Sequence, residues 1–214
     1  MCRPDTEPNG NNDGSIADAP WILRLWLRLY RAIPSLIRDP NTGLDFTFSL
    51  FSAFALSCLR LCVDRFLLLS GWPERTRYTI ETGMNLTSAL HAAFLCSGLG
   101  VCLFCRGGPA YVPSARMDDK TAPLWWRDAA ESLLQVCTGY MFFDGFFMYR
   151  DTERMGQGWT EFEVMIMGHH FCTVLYMLSC RALRAGHLST MTLMFFGELT
   201  NPFMNGLFIS RYAM

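Results

Sequence analysis

Residues 161–180 read EFEVMIMGHHFCTVLYMLSC, an apolar run of helical length with two adjacent histidines, His169 and His170, near its middle. About twenty mostly apolar residues in a helix are enough to cross the hydrocarbon core of a bilayer. A charged side chain at mid-bilayer costs at least ~2.5–3.5 kcal/mol on insertion scales, so buried ionisable groups need partners. The stretch therefore predicts a membrane-spanning helix whose histidines meet polar groups from other helices.

The composition of the whole chain also indicates a membrane protein. Of its 214 residues, 51% are hydrophobic and 17% are charged, whereas soluble domains carry ~25% charged residues. The net charge of −1 offers no basic surface for nucleic acid, so we expect no nucleic-acid partner. The nine cysteines lie mostly inside apolar runs, where a reduced thiol behaves as a small hydrophobic group.

Five segments are long and apolar enough to be predicted spans: residues 44–63, 84–105, 132–149, 162–180 and 188–209. The connections between them carry the proline, glycine and charge, as expected where the backbone meets water. We therefore predict an all-α, multi-pass transmembrane helical bundle with about five spans. In the first span, the apolar run ends at Arg60. In the third, Gly139 and Gly145 predict close approach by a neighbouring helix.

The amino-terminal region differs from the predicted bundle. Residues 1–20 are polar and rich in Gly, Asn and Asp, which predicts a disordered tail. Residues 21–38 carry Arg24, Arg28 and Arg31 at spacings of four and three, with apolar side chains around much of the remaining helix surface. This pattern predicts an amphipathic helix at the membrane surface, and a soluble amphipathic helix is the alternative.

Ionisable groups in three predicted spans fall at a common depth. His91 and His169 each lie seven residues into their spans, and Asp144 lies about five residues before the end of its own. If the spans alternate in direction, all three sit roughly 8–11 Å below the same face at 1.5 Å rise per residue. Glu198 lies nearer the middle of the membrane. Such a cluster suits general acid–base catalysis, and it suits equally a structural contact that joins membrane helices.

Two further features bear on this cluster. Pro202 removes a backbone hydrogen bond and frees the carbonyl group of Glu198, so it predicts a kink beside an acid that lines a cavity. An ordinary kinked span, in which the acid pairs with a histidine, is the alternative. Adjacent histidines point about 100° apart on a helix and are poor chelators, so His169 and His170 predict no metal site.

Four motifs occur in a characteristic order: SALH (88–91), GYMFFDGFF (139–147), GHH (168–170) and GELTNPFMN (197–205). With these motifs the chain resembles the TLC-domain family of multi-pass membrane proteins, which includes the ceramide synthases. The resemblance covers residues 44–214 and implies an all-helical, lipid-handling membrane domain, usually of the endoplasmic reticulum. It also implies further spans in the complete domain, so we expect the chain to be truncated at its carboxyl end.

The resemblance assigns roles to particular residues. In ceramide synthases, paired histidines and a nearby aspartate serve acyl transfer from acyl-CoA to a sphingoid base, and His169, His170 and Asp144 match that pattern as catalytic candidates. The lipid-binding candidates are His91, Glu198, Asn201 and Pro202.

The chain departs from the ceramide synthases after RAG (184–186), where their His-Asp pair is missing and Glu198 follows instead. In this respect it resembles the non-synthase TLC proteins. We therefore expect non-catalytic lipid binding or regulation of membrane lipid composition, with acyl transfer as the alternative, so that enzymatic activity stays open. The expected partners are membrane lipids, among them a sphingolipid or acyl-CoA, and no cofactor or metal is expected.

Overall fold

The computed structural model describes residues 16–73, 76–105, 122–156 and 158–212, and within these ranges the chain is helical, without strands. A short 3-10 turn (Ile16–Asp18) precedes seven helices: α1 Trp21–Ala32, α2 Thr47–Leu69, α3 Arg77–Phe104, α4 Leu124–Met155, α5 Glu161–Leu183, α6 His187–Leu199 and α7 Asn201–Tyr212. The predicted all-α class is confirmed. Most of the predicted disordered tail, residues 1–15, lies outside the described residues. The tail does not extend to residue 20, because Ala19 is buried beside the 3-10 turn.

Local sequence signals set the boundary between α4 and α5. Gly156 adopts a left-handed conformation with φ 61° and ends α4, as glycine commonly does at helix carboxyl ends. Thr160 and Glu163 then form a capping box, in which the Thr160 hydroxyl accepts from Glu163 N–H and the Glu163 carboxylate accepts from Thr160 N–H. These contacts satisfy amides that the first turn of a helix leaves unpaired.

Helix α4 is the centre of the bundle. It packs against α1, α2, α3 and α5, and more lightly against α6. The core that surrounds it is apolar and draws on α1, α3, α4, α5 and α6. The Trp126 indole is fully enclosed there and donates to the Cys102 carbonyl at 3.0 Å. A helix buried along most of its length orients the side chains on each of its faces toward a different neighbour.

Helices α2 and α4 come into close contact at Gly139. A Cβ atom at this position would overlap the Ser49 carbonyl oxygen and lie 3.0 Å from Ser52 Cβ, both on α2. The predicted close approach is therefore confirmed at Gly139. At Gly145 a Cβ would meet only the flexible end of Met167, at 3.4 Å, so the prediction of close backbone packing is wrong there.

The predicted amphipathic helix of residues 21–38 is too long, because α1 ends at Ala32. Ile33 adopts an extended conformation (φ −84°, ψ 115°), because the ring of Pro34 disfavours the helical conformation in the residue before it. One of the three arginines makes a contact that the amphipathic pattern does not predict. Arg31 forms an ion pair with Asp128 of α4 at 2.6 Å.

Helix α1 packs on α4 through its inner face. Leu23 and Leu27 are buried, and the Trp26 indole donates to Ser132 Oγ at 2.9 Å. A second apolar stripe, formed by Trp21, Leu25 and Leu29, faces outward. The helix is therefore anchored to the bundle on one side and presents apolar side chains to its surroundings on another.

Helix α2 contains Arg60 and continues past the predicted end of the first span, at residue 63, to Leu69. The Arg60 side chain is only 1% exposed. Its guanidinium lies 2.8 Å from Asp64 and 3.5 Å from Asp151 of α4, and it donates to the Ile80 carbonyl of α3 at 2.8 Å. Gly83 makes room for it, since a Cβ there would overlap Asp64 and Arg60. The charge is accommodated inside the bundle by partners from two other helices.

The last predicted span, 188–209, is divided into two helices. Helix α6 ends at Leu199 and α7 begins at Asn201, and both pack against α3. Pro202 falls in the first turn of α7, where its missing N–H leaves no hydrogen bond unmade. The predicted kink is thus observed as a one-residue break at Thr200, whose backbone stays in the right-handed helical region (φ −82°, ψ −24°).

Across the described ranges, α3 is the one helix that is long and apolar enough to cross a membrane by length and composition. Helices α6 and α7, with 13 and 12 residues, are each shorter than the ~20 residues that a span requires. The multi-pass arrangement with five spans therefore stays a prediction.

Replacing Gly139 with alanine tests the contact between α2 and α4. We expect G139A to lose about 1–3 kcal/mol of unfolding free energy, because the added methyl group must displace backbone. In the matched control, G168A, the new methyl group meets nothing within 4 Å. This control should be neutral or gain up to about 1 kcal/mol from improved helix propensity. Thermal unfolding of the detergent-purified variants measures both, and equal midpoints would contradict the close contact.

Candidate functional site

A cavity of about 650 Å³ lies between α3, α4, α5, α6 and α7. Much of its wall is apolar and flexible, because six methionines line it: Met84, Met141, Met148, Met155, Met194 and Met204. Methionine is unbranched and polarisable, so a wall of this kind adapts to ligands of irregular shape.

Five of the seven predicted site residues line this cavity: Asp144, His169, His170, Glu198 and Asn201. The structure thus brings the adjacent histidines and both acids to one space, although they come from three helices. His91 and Pro202 do not line the cavity. Pro202 acts on the site through the helix interruption, which places Glu198 and Asn201 on either side of the break.

The two histidines are not equivalent. His170 Nε2 lies 3.6 Å from Asp144 Oδ2, slightly beyond hydrogen-bonding distance, and the Nδ1 atom of the same ring is buried without a hydrogen-bond partner. His169 is exposed, and its ring centroid lies 6.0 Å from that of His170. His170 is therefore the histidine that a small movement can bond to Asp144.

Glu198 is held by its neighbour across the helix break. Asn201 Nδ2 donates to Glu198 Oε2 at 2.7 Å, and the Glu198 side chain is buried. The alternative in which Glu198 pairs with a histidine is not observed, since its hydrogen-bond partner is this amide. One oxygen of the carboxylate is fixed while the residue still lines the cavity.

His91 lies behind the cavity wall rather than in it. Its ring stacks on Tyr140 with centroids 3.9 Å apart and planes 7° apart, and Tyr140 Oη hydrogen-bonds to Ser88 Oγ at 2.9 Å. Tyr140 and Ser88 both line the cavity but were not among the predicted site residues. The signal that could have found them is helical spacing, because Tyr140 precedes Asp144 by four residues and Ser88 precedes His91 by three.

Charged residues line the cavity at the end of the bundle where α3 and α5 begin and α4 ends. Arg77 and Glu81 form an ion pair one turn apart on α3. Glu163 accepts from the Thr152 hydroxyl at 3.4 Å. All of these residues line the cavity. These residues were not predicted as site residues, because charged residues at helix ends are common in any protein.

A second, polar pocket of about 380 Å³ lies at the opposite end of the bundle, between α1, α4, α5 and the start of α6. Its central residue is Arg181, whose buried guanidinium donates to Glu131 Oε1 at 2.7 Å and to the Asp45 carbonyl. Burial, together with the Glu131 and Asp128 carboxylates, raises the pKa of Tyr30, which also lines this pocket. None of the predicted site residues lies here.

One group of side chains could share a metal ion. Among the described residues, His91, Cys137 and Glu198 bring one potential ligand atom each within 4.8 Å of one another. His169 and His170 do not belong to that group.

Comparison with known proteins adds no relative. No protein-family model matches the chain, and neither a curated protein nor a solved structure is similar to it. The resemblance to the TLC-domain family therefore stays a prediction from the motifs.

Two substitutions at Tyr140 separate the contributions of its ring and its hydroxyl group. We expect Y140F to cost about 0.5–1.5 kcal/mol of unfolding free energy, the usual value of one hydrogen bond. Y140A should cost about 3–5 kcal/mol, because it also removes the ring on which His91 stacks and leaves a cavity. Thermal unfolding in detergent compares them, and equal losses would show that the ring contact contributes nothing.

Proposed function

We propose that this chain is a multi-pass integral membrane protein of the TLC type. It binds a membrane lipid in the cavity enclosed by helices α3 to α7 and does not convert that lipid chemically. The observation that carries the proposal is the cavity itself. It joins an apolar wall of methionines to a polar group formed by Asp144, His169, His170 and Glu198. A lipid has the same division into a hydrocarbon chain and a polar headgroup.

The outward faces of the helices support a membrane setting. Large apolar side chains are exposed on the outside of the bundle, including Phe54 and Phe66 of α2, Phe146 of α4, Phe171 of α5 and Phe203 of α7. In water, an extensive exposed apolar surface marks an interaction site or an aggregation hazard. In a bilayer, such a surface faces lipid.

Two of the described helices that composition does not select as spans carry buried charges. Arg60 of α2 and Asp151 of α4 both lower the mean hydropathy of their helices, yet they are buried and lie 3.5 Å apart. Paired groups that face the interior of a bundle are compatible with membrane insertion. We therefore retain the multi-pass arrangement, in the endoplasmic reticulum, as the TLC resemblance implies.

The contact between His170 and Asp144 favours a second candidate function, acyl transfer as in ceramide synthases. His170 would take a proton from the amine of a sphingoid base while Asp144 stabilises the resulting imidazolium. The amine nitrogen would bond to the acyl carbon of acyl-CoA as the carbon–sulfur bond breaks. The thiolate that leaves would receive the proton from His170. We rank this candidate second because the His-Asp pair that ceramide synthases carry downstream is missing.

Lipid retention tests the binding proposal. Membranes are washed with alkaline carbonate, which does not release an integral protein, and the protein is then purified in mild detergent and its lipids identified by mass spectrometry. We expect the wild type to retain one lipid class. H170A and D144N should bind it roughly tenfold to a hundredfold more weakly, because a charge-assisted hydrogen bond contributes about 1.5–3 kcal/mol.

The control for that experiment is Y176F, which alters a ring on the same helix that is 42% exposed and does not line the cavity. Its lipid content should equal that of the wild type. Release of the protein by carbonate would refute the membrane assignment. Equal lipid content in wild type, H170A and D144N would refute binding at this cavity.

Acyl transfer is measured separately, with purified protein, a labelled sphingoid base and acyl-CoA. We expect no N-acylated product above background, because the synthase motif is incomplete. Product that forms with the wild type and falls at least a hundredfold in H170A would establish the second candidate in place of the first. Y176F is again the control, and it should behave as the wild type does.

A further inference from the structure

Three buried side chains from three different helices converge behind the lipid cavity. His91 of α3, Cys137 of α4 and Glu198 of α6 are 3%, 0% and 6% exposed, and one potential ligand atom from each lies within 4.8 Å of the other two. Nitrogen, sulfur and oxygen ligands of this kind, three from the protein, are typical of zinc sites that keep one coordination position open. We infer that His91, Cys137 and Glu198 form a zinc-binding site, independent of the lipid-binding proposal.

The imidazole of His91 has an unmet bonding requirement. Its Nε2 atom is buried and has no hydrogen-bond partner, although buried polar atoms are nearly always paired. The stack on Tyr140 holds the plane of the ring, so the side chain is oriented before any ligand arrives. A metal ion at the cluster supplies a partner for this ring.

The other two ligands are also prepared for a metal. Cys137 is a free cysteine whose thiol donates a weak hydrogen bond to Met194 Sδ at 3.6 Å. Asn201 donates to Glu198 Oε2 at 2.7 Å, which is the kind of outer hydrogen bond that orients a metal-binding carboxylate. The helix break at Thr200 thus has a consequence for this site, because it places the orienting amide beside the acid.

Distance and charge both suit zinc. Tetrahedral zinc with bonds of about 2.0–2.3 Å holds its ligand atoms roughly 3.3–3.8 Å apart. The three ligand atoms must therefore move about 1 Å closer to one another than they are in this structure, and rotation about side-chain bonds can supply that movement. A thiolate, a carboxylate and a neutral imidazole cancel the two positive charges of the ion. A neutral site is far less costly to bury than an isolated ion. Calcium and magnesium prefer ligand sets of oxygen atoms.

Glu198 also connects this cluster to the cavity. It lines the cavity, whereas His91 and Cys137 do not, so the carboxylate is the ligand that the two sites share.

Metal analysis of the purified protein tests this inference. The full chain is prepared in detergent without a polyhistidine tag and without chelator, and its metals are measured by mass spectrometry. We expect about one zinc per chain in the wild type and at least a tenfold lower zinc content in C137S and E198Q. The matched control is C102S, which changes an equally buried cysteine outside the cluster and should retain its zinc.

A second measurement keeps the inference testable if a variant folds poorly. Wild-type protein is stripped with chelator and titrated with zinc chloride, and its melting temperature is followed. Zinc should raise the melting temperature of the wild type and of C102S but not that of E198Q, whose side chain keeps the shape of glutamate. A wild type that lacks zinc and does not respond to it would overturn the inference, as would stoichiometric binding of a different metal.

The same preparations separate this site from the lipid site. H170A should retain zinc, because His170 is not in the cluster, even where it loses lipid. Loss of zinc from H170A equal to that from C137S would overturn the assignment of these three ligands. If the wild type binds zinc but no lipid, the zinc site stands and the lipid-binding proposal fails.

Discussion

The bundle depends on the backbone contact between α4 and α2 at Gly139. Any side chain at this position would overlap the Ser49 carbonyl oxygen, so the two helices reach this distance only through glycine. The contact fixes the rotation of α4 about its axis. Since successive helical residues are turned by about 100°, it also fixes where Cys137, Tyr140 and Asp144 point. The cavity and the cluster of His91, Cys137 and Glu198 therefore rest on one close helix crossing.

Two buried arginines also constrain how the helices pack. Arg60 is enclosed by Asp64 on its own helix, Asp151 on α4 and a carbonyl on α3, and Arg181 is enclosed by Glu131 and the Asp45 carbonyl at the other end. Removing one partner of such a pair leaves an uncompensated buried charge, which is strongly destabilising. These two arginines join helices near opposite ends of the bundle.

The sequence was sufficient to predict the helices but not their partners. Long apolar runs predicted the cores of α2 to α5, and the order of the motifs selected five residues that line one cavity. The charge at Arg60 interrupts an apolar run, and the sequence does not reveal its partner because Asp151 is 91 residues away. His91 was assigned to the cavity because depth along a helix can be read from residue number, whereas the face of the helix depends on packing. Cys137 was missed because a cysteine within an apolar run resembles ordinary core.

The wall of six methionines links the shape of the cavity to the redox state of its surroundings. Oxidation of a thioether to the sulfoxide turns an apolar, flexible side chain into a polar one. Several such changes on one wall would remove the apolar lining while the helices around it stay in place. Because sulfoxides can be reduced enzymatically, this change in the lining would be reversible.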